Sequence, residues 1–319
     1  MKNIFTDAEL SVISLYLEKW ICPLKYAYKT DKWANSWAKI EKLRAVDGWN
    51  FAEYELLINN VEIYLQELWN PKEIAVFDFW SWTWDTTKWL LLKMLALGIK
   101  VHYHAFDISP EMLKLCELNL WNLWKNYTFN STVLDFESAN LVNILSDIRA
   151  QYNNIPVMGG LLWSTIWNFD SMERIITNIT DALRIEDKLV VGIEKVDVSD
   201  DRRKEQVVNA YDNILVNELT FSTLEYFWMT RKQWEWNVIF NNKNIAIEMY
   251  FELSEDFLLN TWNKEISFTK WDRIKLAQSK KLNESQFSQM FLDLDLRIAN
   301  MRTNSKNTFI EIMLSPKKY

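Results

Sequence analysis

Apolar residues recur at three- and four-residue spacing through SVISLYLEKW and AEYELLINNVEIYLQEL, which predicts a mostly helical segment over residues 1–68. From residue 73 the pattern changes to short apolar runs of strand length separated by longer amphipathic stretches. EIAVFDF reads as a strand, TTKWLLLKMLALG as its helix, KVHYHAFDIS as a second strand and SPEMLKLCELNLWNL as the next helix. The short run TVLDFES follows, then a strand PVMGGLLW, a helix SMERIITNITDALR and a strand KLVVGIEKV. Strands alternating with helices predict a mostly parallel sheet covered on both faces, with ligands received beyond the carboxyl ends of the strands. After residue 196 the run DDRRKEQVVNAYDNILVNELTF reads as helical. Two strands with an antiparallel look, NIAIEMYFEL and NTFIEIMLS, come later, with a long segment between them. The expected organisation is a nucleotide-type α/β domain of residues 62–195 plus 282–319, with a second, substrate-binding domain of residues 1–61 plus 196–281.

Composition changes this picture at one point. The chain has 18 Trp and only 5 Gly, and together they make up roughly 7% of its 319 residues, the usual share of glycine alone. The simplest account is that most of these tryptophans stand where the organism inserts glycine, through a code that reads UGA as glycine. A genuinely tryptophan-rich core is the other reading, and UGG codons would support it.

The remaining bulk properties narrow the class of partner. A formal net charge of -7 and the lack of a basic strip argue against nucleic acid. The opening MKNIFTDAELSV carries acids where a secretory segment would be apolar, and LLLKMLALG is far short of the ~20 residues that span a bilayer. A cytoplasmic protein with no membrane partner is expected. Cys22 and Cys116 form no metal-binding or disulfide pattern. His102 and His104 sit on one side of a strand without a third ligand, so a metal site is not expected.

The candidate chemistry lies in FDFWSWTWDTTKW, residues 77–89, at a strand-to-helix turn. With glycine at Trp80, Trp82 and Trp84 it reads D-F-G-S-G-T-G, the pattern of the S-adenosylmethionine (SAM) loop in class I methyltransferases. Glycines there let the backbone turn closely under the amino-acid end of the cofactor, with Asp78, Ser81 and Thr83 beside it. A dinucleotide fingerprint would need its third glycine at 85, which is Asp85. Asp107, 23 residues beyond Trp84, ends the second strand beside Ile108. It suits the ribose hydroxyls, although an acid there could equally cap the helix that follows. Asp135 and Phe136 suit an adenine pocket, as a carboxylate for the exocyclic amine and a ring for stacking.

LLWSTIWNF, residues 161–169, becomes L-L-G-S-T-I-G-N-F with glycine at Trp163 and Trp167, and in this form it resembles the signature of the histidine-specific Nα-methyltransferases. FAEYELL (51–57) is similar to that family's Arg-Ala-Glu-x-Glu-Leu-Leu run, and AFDISPEML to its cofactor strand. NAYDN (209–213) is similar to its Ala-Tyr-Asp motif, IEMYF (247–251) to its Ile-Glu-Met strand, and WDRIKLAQSKK (271–281) to its Gly-Glu-Arg-Ile segment with glycine at 271. The resemblance covers nearly the whole chain. It implies a Rossmann-like class I fold, SAM as cofactor, and a small-molecule amino acid or amine as methyl acceptor.

The resemblance also implies roles. Trp163 and Ser164 would belong to the cofactor site. Asn168 would hold the amino-acid end of the acceptor, with Tyr211 and Tyr28 beside it and Ser279 at its side chain. Two departures stand out. VDGWNF occupies the place of the family's second tyrosine, and Ala277 stands where the family has a glutamate that grips the imidazole. Losing a charge-assisted hydrogen bond costs ~1.5–3 kcal/mol, so an acceptor other than histidine is expected. The competing class is a non-catalytic protein on the same fold, in which indoles fill the cofactor loop.

Overall fold

A computed structural model describes residues 4–46, 50–81, 85–121, 127–227, 229–261 and 264–316. The chain divides into two compact units, Met1–Lys42 with Asp197–Lys281, and Leu43–Val196 with Leu282–Tyr319. In chain order, helices α1 (Asp7–Leu17), α2 (Leu24–Tyr28) and α3 (Asp31–Val46) open the molecule, followed by α4 (Asn50–Glu67). The alternating region runs β1 (Glu73–Phe79), α5 (Asp85–Ala96), β2 (Lys100–Asp107), α6 (Pro110–Leu120), β3 (Tyr127–Val133), α7 (Leu141–Gln151), β4 (Val157–Leu161), α8 (Met172–Ala182) and β5 (Lys188–Glu194). Then come α9 (Asp201–Tyr211), α10 (Ile214–Tyr226), β6 (Trp234–Asn241), β7 (Ala246–Leu253), β8 (Phe257–Asn260), β9 (Glu265–Phe268) and β10 (Arg273–Lys280). Helix α11 (Glu284–Asp293) and strands β11 (Leu296–Thr303) and β12 (Phe309–Pro316) close the chain.

The second unit is built on a seven-stranded sheet in the order β11-β12-β5-β4-β1-β2-β3. Strands β1 to β5 pair in parallel, and β12 lies antiparallel to both β5 and β11. The near-continuous burial of β1 and β2 follows from helices covering both faces of a parallel sheet. Chain order reverses between β1 and β4, which puts the crevice for a ligand at the carboxyl end of β1. Helix α4 packs on β12 and α5, and its Leu57, Val61, Tyr64 and Leu65, with Leu68 just beyond it, enter the same core as Val76, Leu91, Met94 and Val101. The domain boundary expected at 61/62 falls inside α4, and the compact unit begins at Leu43, within α3.

The first unit packs α1, α2 and α10 against the three-stranded sheet β10-β7-β6, around Phe5, Ile13, Phe221, Phe251 and Ile274. NIAIEMYFEL and NTFIEIMLS, which look alike in sequence, do not pair: the first supplies β7 here and the second supplies β12 of the large sheet. Each is amply apolar, but its partner is chosen by non-local packing that a strand pattern does not encode. Helix α7 was not expected from the sequence. Asn140 caps it by accepting from the Asn143 N–H at 3.3 Å, and Leu141, Leu145 and Ile148 bury its inner face.

Glycine-like backbone occurs at several tryptophans. Trp20, Trp69, Trp80, Trp163 and Trp271 have φ of 63°, 66°, 78°, 64° and 76°, in the left-handed region. Trp167 does not; it lies in a short 3-10 helix, Thr165–Asn168, and its fully buried indole stacks on Phe287 at 6.0 Å.

Between α4 and β12 the fold buries a carboxyl. Glu311 accepts from the Tyr64 hydroxyl and from Asn60 Nδ2 at 3.5 Å. Burial pushes its pKa up to about 8, with the hydrogen bonds from Tyr64 and Asn60 acting the other way. An unfolded glutamate releases its proton near ~4.3, so between these values the folded state binds more protons. This contribution to stability is complete below pH ~4 and is lost as pH rises through about 8. Glu311→Gln keeps the shape without the charge, and it is expected to flatten the fall in Tm between pH ~5 and ~8 that thermal unfolding records. An unchanged slope would contradict the assignment.

Candidate active site

The tip of β1 is tied to the tip of β2. The N–H groups of Trp80 and Ser81 both donate to the Phe106 carbonyl, at 2.9 and 3.0 Å. The Ser81 hydroxyl donates to the Asp78 carbonyl at 3.0 Å and accepts the Phe106 N–H at 3.1 Å, so this buried serine clamps the loop. Asp78 is buried below, accepting from Tyr103 Oη at 2.6 Å and Thr87 Oγ1 at 3.2 Å. Burial pushes its pKa up to about 6 against the pull of those two bonds. Trp82, Thr83 and Trp84 lie outside the described residues.

The carboxyl end of β2 presents Asp107 and Ile108, both buried. Asp107 Oδ1 accepts the Ser109 N–H at 2.7 Å, while Ser109 itself caps α6 by accepting from Met112. The cap therefore comes from the serine rather than the acid. Burial drives the Asp107 carboxyl well above the usual carboxylate range, the Ser109 and Ile108 N–H groups draw it down, and the nearby Asp78 charge raises it. A carboxylate held this way gains from every further donor offered to it. Its carbonyl takes the Leu134 N–H at 2.8 Å, which brings the end of β3, with Asp135 and Phe136, alongside. Asp135 Oδ1 accepts the Glu137 N–H at 3.0 Å, and Phe136 is buried.

On the other side of β1, the end of β4 carries Trp163, Ser164 and Asn168. Trp163 donates its N–H to Glu53 Oε1 at 2.8 Å. Ser164 ties β4 to β5, accepting the Glu194 N–H on its hydroxyl at 2.6 Å and donating its own N–H to the Gly192 carbonyl at 2.9 Å. Asn168 ends the 3-10 turn half-buried. Glu53 was quoted in the sequence only as part of a motif, yet it holds the backbone of residue 163. Its pKa is driven well above the ordinary range by burial, opposed by the Trp163 N–H and reinforced by Glu311 and Asp78. A Cβ at Gly192 would stand 2.0 Å from Glu53 Oε1, so glycine there makes room for the carboxylate.

In the first unit, Tyr211 Oη and Ser279 Oγ are 3.0 Å apart. Lys281, which had no assigned role in the sequence, donates to both, at 2.9 Å to Tyr211 and 2.6 Å to Ser279. An ammonium only donates, so both hydroxyl oxygens accept from it, and either hydroxyl can give its own proton to the other. Ala277, Ser279 and Lys281 alternate along one face from β10, and all three are buried. Ala277 packs with Ile247, Met249 and Tyr211 in an apolar cluster. The period-two spacing of 277, 279 and 281 was the signal that could have found Lys281. Tyr28 ends α2 buried, with its ring set edge-on to Trp33 at 3.9 Å.

His102 and His104 are structural. His102 contacts Thr128 Oγ1 at 2.7 Å and Glu73 Oε1 at 2.6 Å, and His104 contacts Tyr152 Oη at 3.2 Å and Thr132 Oγ1 at 2.8 Å. Among the described residues no group of three metal-ligating side chains comes together, and no helix is long and apolar enough to cross a membrane.

The sheet order, the β1 loop and the buried acid ending β2 define a class I SAM-dependent methyltransferase. A family model described as "Histidine-specific methyltransferase, SAM-dependent" matches residues 51–316, and the chain belongs to that family. A SAM-dependent methyltransferase from Clostridium acetobutylicum ATCC 824 shares the fold, with TM-score 0.50 and 11% identity over 88% of this chain and 99% of that one. The protein PH0226 from Pyrococcus horikoshii OT3 (TM-score 0.42, 11% identity, 83% and 92% covered) and the sugar N-methyltransferase KedS8 from Streptoalloteichus sp ATCC 53650 (0.39, 10%, 84% and 87%) are more distant. No curated protein matches the sequence.

The residues fit SAM with one exception. Asp107, Asp135 and Phe136 offer the acids and the ring that a nucleoside needs. The Trp80 indole, however, stacks on Phe136 at 6.1 Å with 24° between planes, and meets Phe169 edge-on at 4.9 Å. As written, residue 80 covers the face that an adenine would use.

Proposed function

We propose that the protein moves a methyl group from SAM to the amino nitrogen of an amino acid or small amine, with an α-amino acid other than histidine as the preferred acceptor. The observation that carries this reading is the Tyr211–Ser279–Lys281 hydroxyl and ammonium cluster beside the apolar Ala277. Bound, SAM supplies an electrophilic methyl on a sulfonium. Asp78 and the turn 80–84 would hold its amino-acid end, Asp107 and Ile108 its ribose, Asp135 and Phe136 its base, with Trp163 and Ser164 at the neighbouring strand tip.

Asn168, Tyr28 and Tyr211 would orient the acceptor's amino and carboxyl groups, and Ser279 its side chain. In-line displacement needs a neutral amine, close approach and the removal of one proton, which water or a tyrosine phenolate can take. Orientation of this kind contributes up to ~7–11 kcal/mol in well-aligned cases. Both cysteines, Cys22 and Cys116, are buried free thiols, which supports a reading as a cytoplasmic protein. A panel of amino acids and small amines, offered with labelled SAM to the chain carrying Trp80→Gly, Trp82→Gly and Trp84→Gly, tests the proposal. Transfer to a non-histidine α-amino acid is expected. Histidine as clearly the best acceptor would overturn the specificity, and no transfer to any amine would overturn the reaction.

A further inference from the structure

We propose that residues 20, 69, 80, 163 and 271 are glycine in the protein as its own organism makes it, inserted at UGA codons that the sequence as written reads as tryptophan. The inference rests on backbone geometry and is independent of the methyltransferase reading.

Non-glycine residues with positive φ are uncommon and are mostly Asn or Asp; for a bulky side chain the conformation is an outlier. Among the described residues tryptophan is the commonest non-glycine residue type in that region, ahead of Asn70, Asn153, Asn154 and Asn307. The local hydrogen bonds show what each position requires. After α5, the Gly98 N–H bonds the Leu95 carbonyl at 3.0 Å, and the Ile99 N–H reaches back five residues to Met94 at 3.1 Å. Gly98 has φ 77°. This is a helix terminated by a left-handed residue, usually glycine.

Trp69 ends α4 with the same two bonds, Trp69 N to Gln66 O at 3.0 Å and Asn70 N to Leu65 O at 2.7 Å. Trp20 ends α1 with them again, Trp20 N to Leu17 O at 2.9 Å and Ile21 N to Tyr16 O at 3.1 Å. Trp271 is the third residue of a turn closed by Asp272 N to Thr269 O at 3.0 Å. With φ 76° there, this is the turn position that requires glycine or asparagine. Two of these indoles stand largely in solvent, Trp69 84% exposed and Trp271 61%, while Trp20 meets Phe268 edge-on at 5.9 Å.

Residues 80 and 163 carry the same geometry into the candidate active site. Glycine at 80 would remove the indole from the face of Phe136 while leaving the bond from its N–H to Phe106 in place. That face of Phe136 would then be open to a stacked base. Trp167 is excluded from the inference, because its backbone is helical and its indole is packed.

The test uses the three turn positions outside the cofactor loop, so its outcome does not depend on SAM. Trp20→Gly, Trp69→Gly and Trp271→Gly should each raise Tm by about 2–4 °C, and alanine at the same sites should raise it less, because a Cβ remains on a left-handed backbone. Alanine matching glycine, or a fall in Tm with glycine, would overturn the proposal. Peptide mass spectrometry on the protein isolated from its source provides a second reading that requires no refolding. Glycine masses at these five positions are expected, and tryptophan masses, or UGG codons in the gene, would refute it.

Discussion

In the chain with glycine at 80, 82 and 84, Asn168→Ala is expected to abolish methyl transfer while SAM affinity stays within a few-fold. The sheet order gives the reason. Asp107 and Asp135 follow β2 and β3 on one side of β1, whereas Asn168 follows β4 on the other. A nucleoside gripped by the two acids would leave Asn168, beyond the Trp163–Ser164 tip of β4, to the acceptor. Asn168 has the chemistry for that task, since its amide both donates and accepts, matching an ammonium or amine next to a carboxylate. Misplacing a reacting amine by about 1 Å can cost ~10²-fold in rate, and losing the residue that orients it should cost more. Single-turnover assays with labelled SAM, paired with calorimetry of SAM binding, separate the two effects. A large loss of SAM affinity would assign Asn168 to the cofactor and sink its role with the acceptor.

Ala277→Glu in the same background should raise activity on histidine by ~10-fold or more, the worth of one regained charge-assisted hydrogen bond. Position 277 shares a buried face with Ser279 and Lys281, so the new carboxylate would enter next to an ammonium that already donates to Ser279 and Tyr211. A buried carboxylate beside a cation keeps its charge more readily than one in the apolar cluster alone. Activity on the preferred acceptor should fall as the pocket floor, now apolar around Met249 and Ile247, becomes charged. The ratio of kcat/KM for histidine to that for the best acceptor reads both changes. A ratio that does not move would mean that residue 277 does not face the acceptor.

Much of the fold was legible in the sequence because its alternation is local. β1, α5, β2 and α6 follow directly from EIAVFDF to SPEMLKLCELNL, where strand-length apolar runs meet helices with clear starts, such as the Ser109 cap with Pro110 behind it. The failures have physical causes. Helix α7 was missed although Asn140 caps it and Leu141, Leu145 and Ile148 share one face, because it follows the irregular turn at Asp135–Ser138 without a strong break. β6, the antiparallel partner of β7, and the short pair β8–β9 went unread, since partly exposed strands such as WEWNVIFN carry a weak apolar signal.

The candidate site's residues could be named from the sequence, but not the contacts that support them. Asp107 stood out as the acid ending the second strand, 23 residues beyond Trp84, and Phe136 as a ring next to Asp135. That Ser81 is a clamp, that Glu53 holds residue 163, or that Lys281 joins Tyr211 to Ser279 depends on contacts between residues far apart in the chain. The shortage of glycine was plain in the composition, but only the backbone distinguishes Trp80 and Trp163, in left-handed geometry, from Trp167, in a helix.

The most direct measurement is calorimetric titration of SAM into two proteins, the chain as written and the same chain with Trp80→Gly, Trp82→Gly and Trp84→Gly. In the first, the residue 80 indole lies against Phe136, where the base should stack. The second frees that face and restores the close backbone turn under the cofactor. No measurable binding in the first and micromolar or tighter binding in the second is the expected result. Micromolar binding by the chain as written, or none by the glycine form, would contradict the account.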